Sequence, residues 1–129
     1  MCKLVEIKSN NGESIKVAEI KKNHIQNIIS NASKCQSIDA IILFGSALEE
    51  RCTDESDIDI AIISKYTIDG LSRLKSYSDF IRNIYEMDMS QEYDKLYFKS
   101  FSEIEQKQDK VQICKELAEN GKTIYRKVE

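Results

Sequence analysis

The sequence predicts an α+β domain in which helices pack on a small β-sheet, and three observations carry that expectation. Ile41-Ile42-Leu43-Phe44 is apolar on both faces, as in a central strand buried on two sides. A second apolar run follows, in which Asp57 and Asp59 lie two residues apart with Ile58, Ile60 and Ile62 between and after them. Residues i and i+2 of a strand share a face, so the two carboxylates stand together and the isoleucines face the core. Around these runs, apolar residues recur at helical spacing.

With 129 residues, the chain is expected to form one domain over residues 1–129, with a core of ordinary size. A net charge of −3 argues against a broad nucleic-acid surface. Neither an apolar run of membrane-spanning length nor a signal-peptide pattern at Met1-Cys2-Lys3-Leu4 is present. Cys2, Cys35, Cys52 and Cys114 are scattered, without a Cys-x-x-Cys pair. They read as reduced thiols of a cytoplasmic protein. Proline is absent, so helices must end on caps, glycine and asparagine.

In chain order, Lys3 to Lys8 has strand character, Asn10-Asn11-Gly12 is a turn signal, and Ser14 to Val17 can return. A hairpin over residues 3–17 is expected, with a frayed lead-in to the first helix as the alternative. Glu19 to about Ser33 reads as a helix with Ile25, Ile28, Ile29 and Ala32 inward and Lys21, Lys22, Asn23 and Gln26 opposite. His24, the one histidine, reads as a solvated residue of that polar face rather than a general base.

Ile38 to Phe44 is the central strand. Gly45 at its end leaves room for a phosphate, and Ser46 offers a hydroxyl at a helix start. An ordinary strand-to-helix turn with Ser46 as N-cap is the plainer reading. Ala47 to Arg51 is expected to be a short helix and Cys52 to Ser56 a polar loop. Asp57 to Ser64 is the second strand. Thr67 to about Glu86 reads as one long helix with Leu71, Leu74, Ser78, Ile81 and Tyr85 on a stripe, capped by Thr67 or Asp69. Tyr93 to Phe98 is a third strand with Asp94, Leu96 and Phe98 on one face. Ser102-Glu103-Ile104-Glu105 fits a capping box for a helix to about Glu119, with Val111, Cys114, Leu117 and Ala118 inward. Asn120-Gly121 closes it, and Lys122 to Arg126 is an edge strand or docked tail.

Two carboxylates held side by side repel each other and lose water, and a divalent cation is the usual compensation. Mg²⁺ binds through a few carboxylates plus substrate phosphates. An EF-hand calcium loop does not fit, because Ile58 and Ile60 belong to a buried strand rather than to a loop of oxygen ligands.

Gly45-Ser46, ten residues, then Asp57-Ile58-Asp59, each part on an apolar strand, resembles the motif of the DNA polymerase β-like nucleotidyltransferase superfamily, and within it the minimal nucleotidyltransferases. The resemblance implies a small mixed β-sheet packed with helices. It implies transfer of a nucleoside monophosphate, expected to be AMP, from a nucleoside triphosphate to an acceptor hydroxyl. Asp57, Asp59 and Asp94 would be the catalytic carboxylates and the ligands of Mg²⁺ or Mn²⁺, with Glu92 the alternative to Asp94 in another register. Gly45, Ser46, Arg51 and Ser56 would contact the nucleotide. Relatives often carry Arg-Gly after the Gly-Ser, whereas this chain has Glu49-Glu50 and then Arg51.

The resemblance further implies a stand-alone catalytic unit, because few residues follow the last core element. Such units are often paired with a helical HEPN protein, which some modify with AMP as antitoxins. Expected partners are therefore an NTP (ATP foremost), a HEPN-type protein and a second copy of the chain. A small-molecule acceptor and a non-catalytic regulatory module that keeps the fold are the alternatives.

Overall fold

Among residues 1–128, which the computed structural model describes, six strands and five α-helices succeed one another. The hairpin is present: β1 (Leu4–Lys8) pairs antiparallel with β2 (Ser14–Ala18). A 3-10 turn over Glu19–Lys21 leads into α1 (Lys22–Ala32). Then come β3 (Ala40–Phe44), a 3-10 turn over Gly45–Leu48, and β4 (Ile58–Ile63). Helices α2 (Ile68–Ser72) and α3 (Lys75–Glu86) cross over to β5 (Tyr93–Phe98). Helices α4 (Phe101–Lys107) and α5 (Gln112–Asn120) lead to β6 (Lys122–Arg126).

Four strands form a mixed sheet in the order β5-β4-β3-β6. β3 is antiparallel to β4 and β6, while β4 and β5 are parallel. A parallel neighbour needs a crossover rather than a hairpin, and α2 with α3 supplies it. β3 is buried at all five positions, as its two-sided apolar run requires. One face of the sheet (Ile41, Leu43, Ile58, Ile60, Ile62) packs on Ile25 and Ile28 of α1, Phe80 and Ile84 of α3, and Ile15 and Val17 of the hairpin. The other (Ile42, Phe44, Ala61, Ile63) packs on Ile104 of α4 and Cys114 and Leu117 of α5. Each fully buried isoleucine contributes about 1.5–3 kcal/mol of transfer free energy, so the apolar strands hold the sheet between two helical layers. No helix of the described residues is long and apolar enough to cross a membrane.

Several helix expectations need correction. The single helix over 67–86 is broken at Leu74, which is extended (φ −88°, ψ 128°). Tyr77, Phe80 and Ile84 are the buried residues of α3. At 3.6 residues per turn they lie about 100° from the Leu71–Tyr85 stripe, and the break lets both Leu71 and this second set face the core. Thr67 does cap α2, its hydroxyl accepting from the Gly70 amide at 3.0 Å. The helix after β5 is also two. Glu105 to Lys110 contains no apolar residue to hold a continuous helix on the sheet, and Val111 and Ala118 are exposed. The cap is Ser100, two residues earlier than expected: its hydroxyl accepts from the Glu103 amide at 3.1 Å, while Glu103 accepts from the Lys99 amide at 2.8 Å. The segment after Phe44 coils at Gly45–Leu48 as a 3-10 turn rather than as a helix over 47–51. Gly121 ends α5 with extended backbone; a Cβ there would lie 2.6 Å from the Leu117 carbonyl oxygen.

Candidate functional site

The C-terminal end of β3 and the N-terminal ends of β4 and β5 meet at one edge of the sheet. There Phe44 is the register partner of Asp59, and Asp59 is the register partner of Asp94. Opposed residues of neighbouring strands share a face, so the two carboxylates stand side by side on the face that carries Ala61 and Ile63. Asp57 precedes the first residue of β4 and is exposed, as is Asp94, while Asp59 is half-buried. Glu92 lies before β5, where its carbonyl accepts from the Ile58 amide at 3.0 Å, so the alternative register is not adopted.

Burial pushes the Asp59 carboxyl up to about 6, and the negative charges of Asp94 and then Asp57 add to the effect; Arg51 partly offsets it. The three aspartates are thus within electrostatic reach of one another, which makes the site a concentration of negative potential. Gly45 is pressed against it. Its φ is +77°, and a Cβ there would sit 2.2 Å from Asp59 Oδ2. Only glycine combines that backbone with so close an approach of the carboxylate.

The other residues singled out in the sequence are placed as follows. Ser46 is buried in the 3-10 turn, and its carbonyl accepts from the Glu49 amide at 2.9 Å. Arg51 is exposed and pairs through Nε with the Glu49 carboxylate, which raises the guanidinium further. The Ser56 hydroxyl is spent on its own loop: it accepts from the Thr53 amide at 3.0 Å and lies 3.2 Å from the Thr53 hydroxyl. The fold therefore brings together Gly45, Asp57, Asp59 and Asp94, holds Arg51 nearby in an ion pair, and turns the Ser56 hydroxyl into the loop.

Beneath that loop lies a residue that its charge had set on the polar face. Lys21 is only 2% exposed rather than on a polar face. Its ammonium donates to the Asp54 carbonyl (3.1 Å) and to Gln91 Oε1 (2.5 Å). The Gln91 amide in turn donates to the carbonyls of Ser56 (3.1 Å) and Glu92 (2.8 Å). This clamp ties the segment before Asp57 to the segment before Asp94. Lys21 stands four residues before Ile25 and seven before Ile28, on the buried face of the helical stretch rather than on its polar one. His24 is likewise not solvated: its side chain is 14% exposed, and Nε2 lies 3.1 Å from Asp88 Oδ2. Hydrogen bonds from Ser90 and from His24 hold the Asp88 carboxyl down at about 2.

Among the described residues, no three His, Cys, Asp or Glu side chains are gathered closely enough to hold a metal ion on their own. What the carboxylate edge offers is oxygen donors alone, crowded enough to favour a cation. The family model described as "Polymerase beta, Nucleotidyltransferase" matches residues 23–129. No curated protein matches the chain.

Proposed function

The chain belongs to the polymerase beta nucleotidyltransferase family, and we propose that it transfers a nucleoside monophosphate from an NTP, ATP foremost, to an acceptor hydroxyl. The observation that carries this reading is the register pair Asp59–Asp94, with Asp57 alongside and Gly45 packed against the Asp59 carboxylate. In the reaction the acceptor oxygen bonds to the α-phosphorus, the bond between that phosphorus and the α–β bridging oxygen breaks, and pyrophosphate leaves. Asp94, exposed at the start of β5, takes the acceptor's proton. Asp57 and Asp59 orient the α-phosphate end of the substrate. Gly45 lets the chain of phosphates approach the backbone, and Ser46 lies at the same turn.

Mg²⁺ or Mn²⁺ fits the donor set. Such hard cations keep oxygen ligands and are commonly bound by one or two carboxylates plus substrate phosphates, so a site short of a full protein cage is suited to an ion that arrives with the nucleotide. Asp57, Asp59 and Asp94 would hold it. When bound, it supplies charge neutralisation at the α-phosphate. The Asp59 carboxyl, raised by burial first and then by Asp94 and Asp57, supports the same assignment, because a cation relieves the part that comes from repulsion.

For the acceptor we propose a hydroxyl on a HEPN-type helical partner, with an antitoxin role, in the cytoplasm; the four free thiols support that compartment. The Glu49–Arg51 pair favours a second reading, a fold-retaining regulatory module, since it occupies the one arginine beside the site.

The test is release of pyrophosphate from each of the four α-labelled NTPs, with Mg²⁺ or Mn²⁺, in the presence and absence of a HEPN-type protein. Labelled acceptor and released pyrophosphate, both lost in Asp57→Asn/Asp59→Asn, are expected. Absence of release from every NTP, with the wild type and the double variant indistinguishable, would leave the regulatory module.

A further inference from the structure

Lys21 is an ammonium buried without a carboxylate. Its side chain is almost wholly out of water, and both of its acceptors are neutral, the Asp54 carbonyl and Gln91 Oε1. Among the described residues it forms no ion pair. Taking an unpaired charge out of water is costly, and an apolar side chain of similar length would fill the space without that cost. Stability alone therefore does not account for a lysine here, whereas what it holds does. We infer that Lys21 and Gln91 are positioning residues for the carboxylate edge, fixing Asp57 relative to Asp94 and so setting how tightly the edge takes a divalent cation. The inference rests on the nucleotidyl-transfer reading and adds to it two residues that touch no reacting group.

Strand pairing places two of the three aspartates and leaves the third. Asp59 and Asp94 are register partners on β4 and β5, so the ladder sets their separation. Asp57 precedes β4, outside that ladder. It follows a loop that closes on itself: the Ser56 amide donates to the Thr53 carbonyl at 3.0 Å, and the Ser56 hydroxyl accepts from the Thr53 amide at 3.0 Å. The clamp grips this closed loop at two carbonyls. Gln91 donates to that of Ser56, directly before Asp57, and Lys21 to that of Asp54. The same Gln91 side chain donates to the Glu92 carbonyl, which also receives the Ile58 amide. One side-chain amide thus spans the residue before Asp57 and the residue two before Asp94.

The clamp has a firm base. Lys21 is the N-cap residue of α1 and His24 lies in its first turn. Both reach the loop that leads into β5: Lys21 at Gln91, and His24 through Nε2, 3.1 Å from Asp88 Oδ2. The Gln91 backbone amide donates to the Asp88 carbonyl at 3.1 Å, which joins the two anchor points. Among the described residues the carboxylates do not close a metal cage by themselves. Affinity for a cation that arrives with phosphate then depends on where each aspartate stands, and groups that orient ligands govern it strongly. Lys21 also precedes the span, residues 23–129, that the family model matches.

The test uses the full chain and two clamp variants. Gln91→Glu keeps an acceptor for Lys21 and removes the N–H groups that hold the Ser56 and Glu92 carbonyls. Lys21→Met keeps the side-chain length and removes the ammonium. Ser100→Ala, which loosens the cap of α4 at the opposite end of β5, controls for destabilisation. Binding of a non-hydrolysable ATP analogue is measured by calorimetry over a series of free Mn²⁺ concentrations, well below each thermal midpoint, and circular dichroism reports the fold. The Mn²⁺ concentration at half-maximal binding should rise about tenfold in each clamp variant. Saturating Mn²⁺ should restore binding to them, because all three carboxylates remain, but not to Asp57→Asn. Ser100→Ala should match wild type. A wild-type midpoint in either clamp variant, or an equal rise in Ser100→Ala, would overturn the inference while leaving nucleotidyl transfer standing. Loss of the fold in both clamp variants would make the clamp a structural brace and overturn it too. A wild type that binds no NTP analogue at any Mn²⁺ concentration would overturn both readings.

Discussion

Replacing Asp59 by asparagine is expected to stabilise the protein at neutral pH in the absence of divalent cations and to abolish the proposed nucleotidyl transfer. The side chain is half-buried, and its carboxyl is pushed up to about 6 by burial first and by Asp94 and Asp57 next. The displacement from the ordinary aspartate value corresponds to about 3 kcal/mol at roughly 1.4 kcal/mol per pH unit. Water reaches a half-buried group and screens it, which reduces the figure to about 1–2 kcal/mol. The native protein holds this proton up to about pH 6, whereas the unfolded chain releases it near pH 4. Native protein therefore binds more protons in that window, and stability falls as pH rises through it. Above about pH 6 the full penalty is present. Asparagine is an uncharged isostere that still fits against Gly45. Asp59→Asn should thus be about 1–2 kcal/mol more stable than wild type at pH 8 and equal to it near pH 4. Urea denaturation with a chelator present, at both pH values, reads the difference; the carboxylates outside this cluster are common to both proteins and cancel. A variant no more stable than wild type at pH 8, or a gain independent of pH, would refute the claim that Asp59 is held in a repulsive carboxylate cluster.

Gly45→Ala should cost about 2 kcal/mol or more, because the left-handed backbone disfavours a side chain and the new Cβ would drive the Asp59 carboxylate from its place. Urea melts should show the loss, and nucleotide binding should fall with it. Gln91→Leu should destabilise by about 2–4 kcal/mol, since it removes an acceptor from the buried Lys21 ammonium and a donor from two carbonyls; unchanged stability would show that the clamp bears no load. Ser100→Ala should cost about 1 kcal/mol as a lost N-cap, read by thermal melting, whereas Ser102→Ala should be near neutral.

What the sequence made legible was whatever is local. β5 and β6 run over the residues that alternation and turn signals mark, and β3 is central because its apolar run has no polar face. Asp59 and Asp94 could be put on strands from the pattern alone, but only the parallel pairing of β4 with β5 sets them side by side. Gly45 reads as a turn glycine; that its missing Cβ makes room for Asp59 is a fact of packing. The helix breaks at Leu74 and after Lys107 escaped notice because each half satisfies helical spacing on its own. Lys21 bonds to a side chain 70 residues away and His24 to one 64 residues away. A single sequence does not name such partners, although the spacing of Lys21 four and seven residues before Ile25 and Ile28 did mark its inward face; charge and polar neighbours made both residues read as solvated.

The most direct test of the central claim, that the carboxylate edge of the sheet is a metal-dependent nucleotide site, is calorimetric titration of a non-hydrolysable ATP analogue with Mg²⁺ into wild type and Asp57→Asn/Asp59→Asn. Binding to wild type that requires the cation and disappears in the double variant is expected. Binding of equal strength to both proteins, or none to the wild type with ATP, GTP, CTP or UTP analogues and either Mg²⁺ or Mn²⁺, would contradict it.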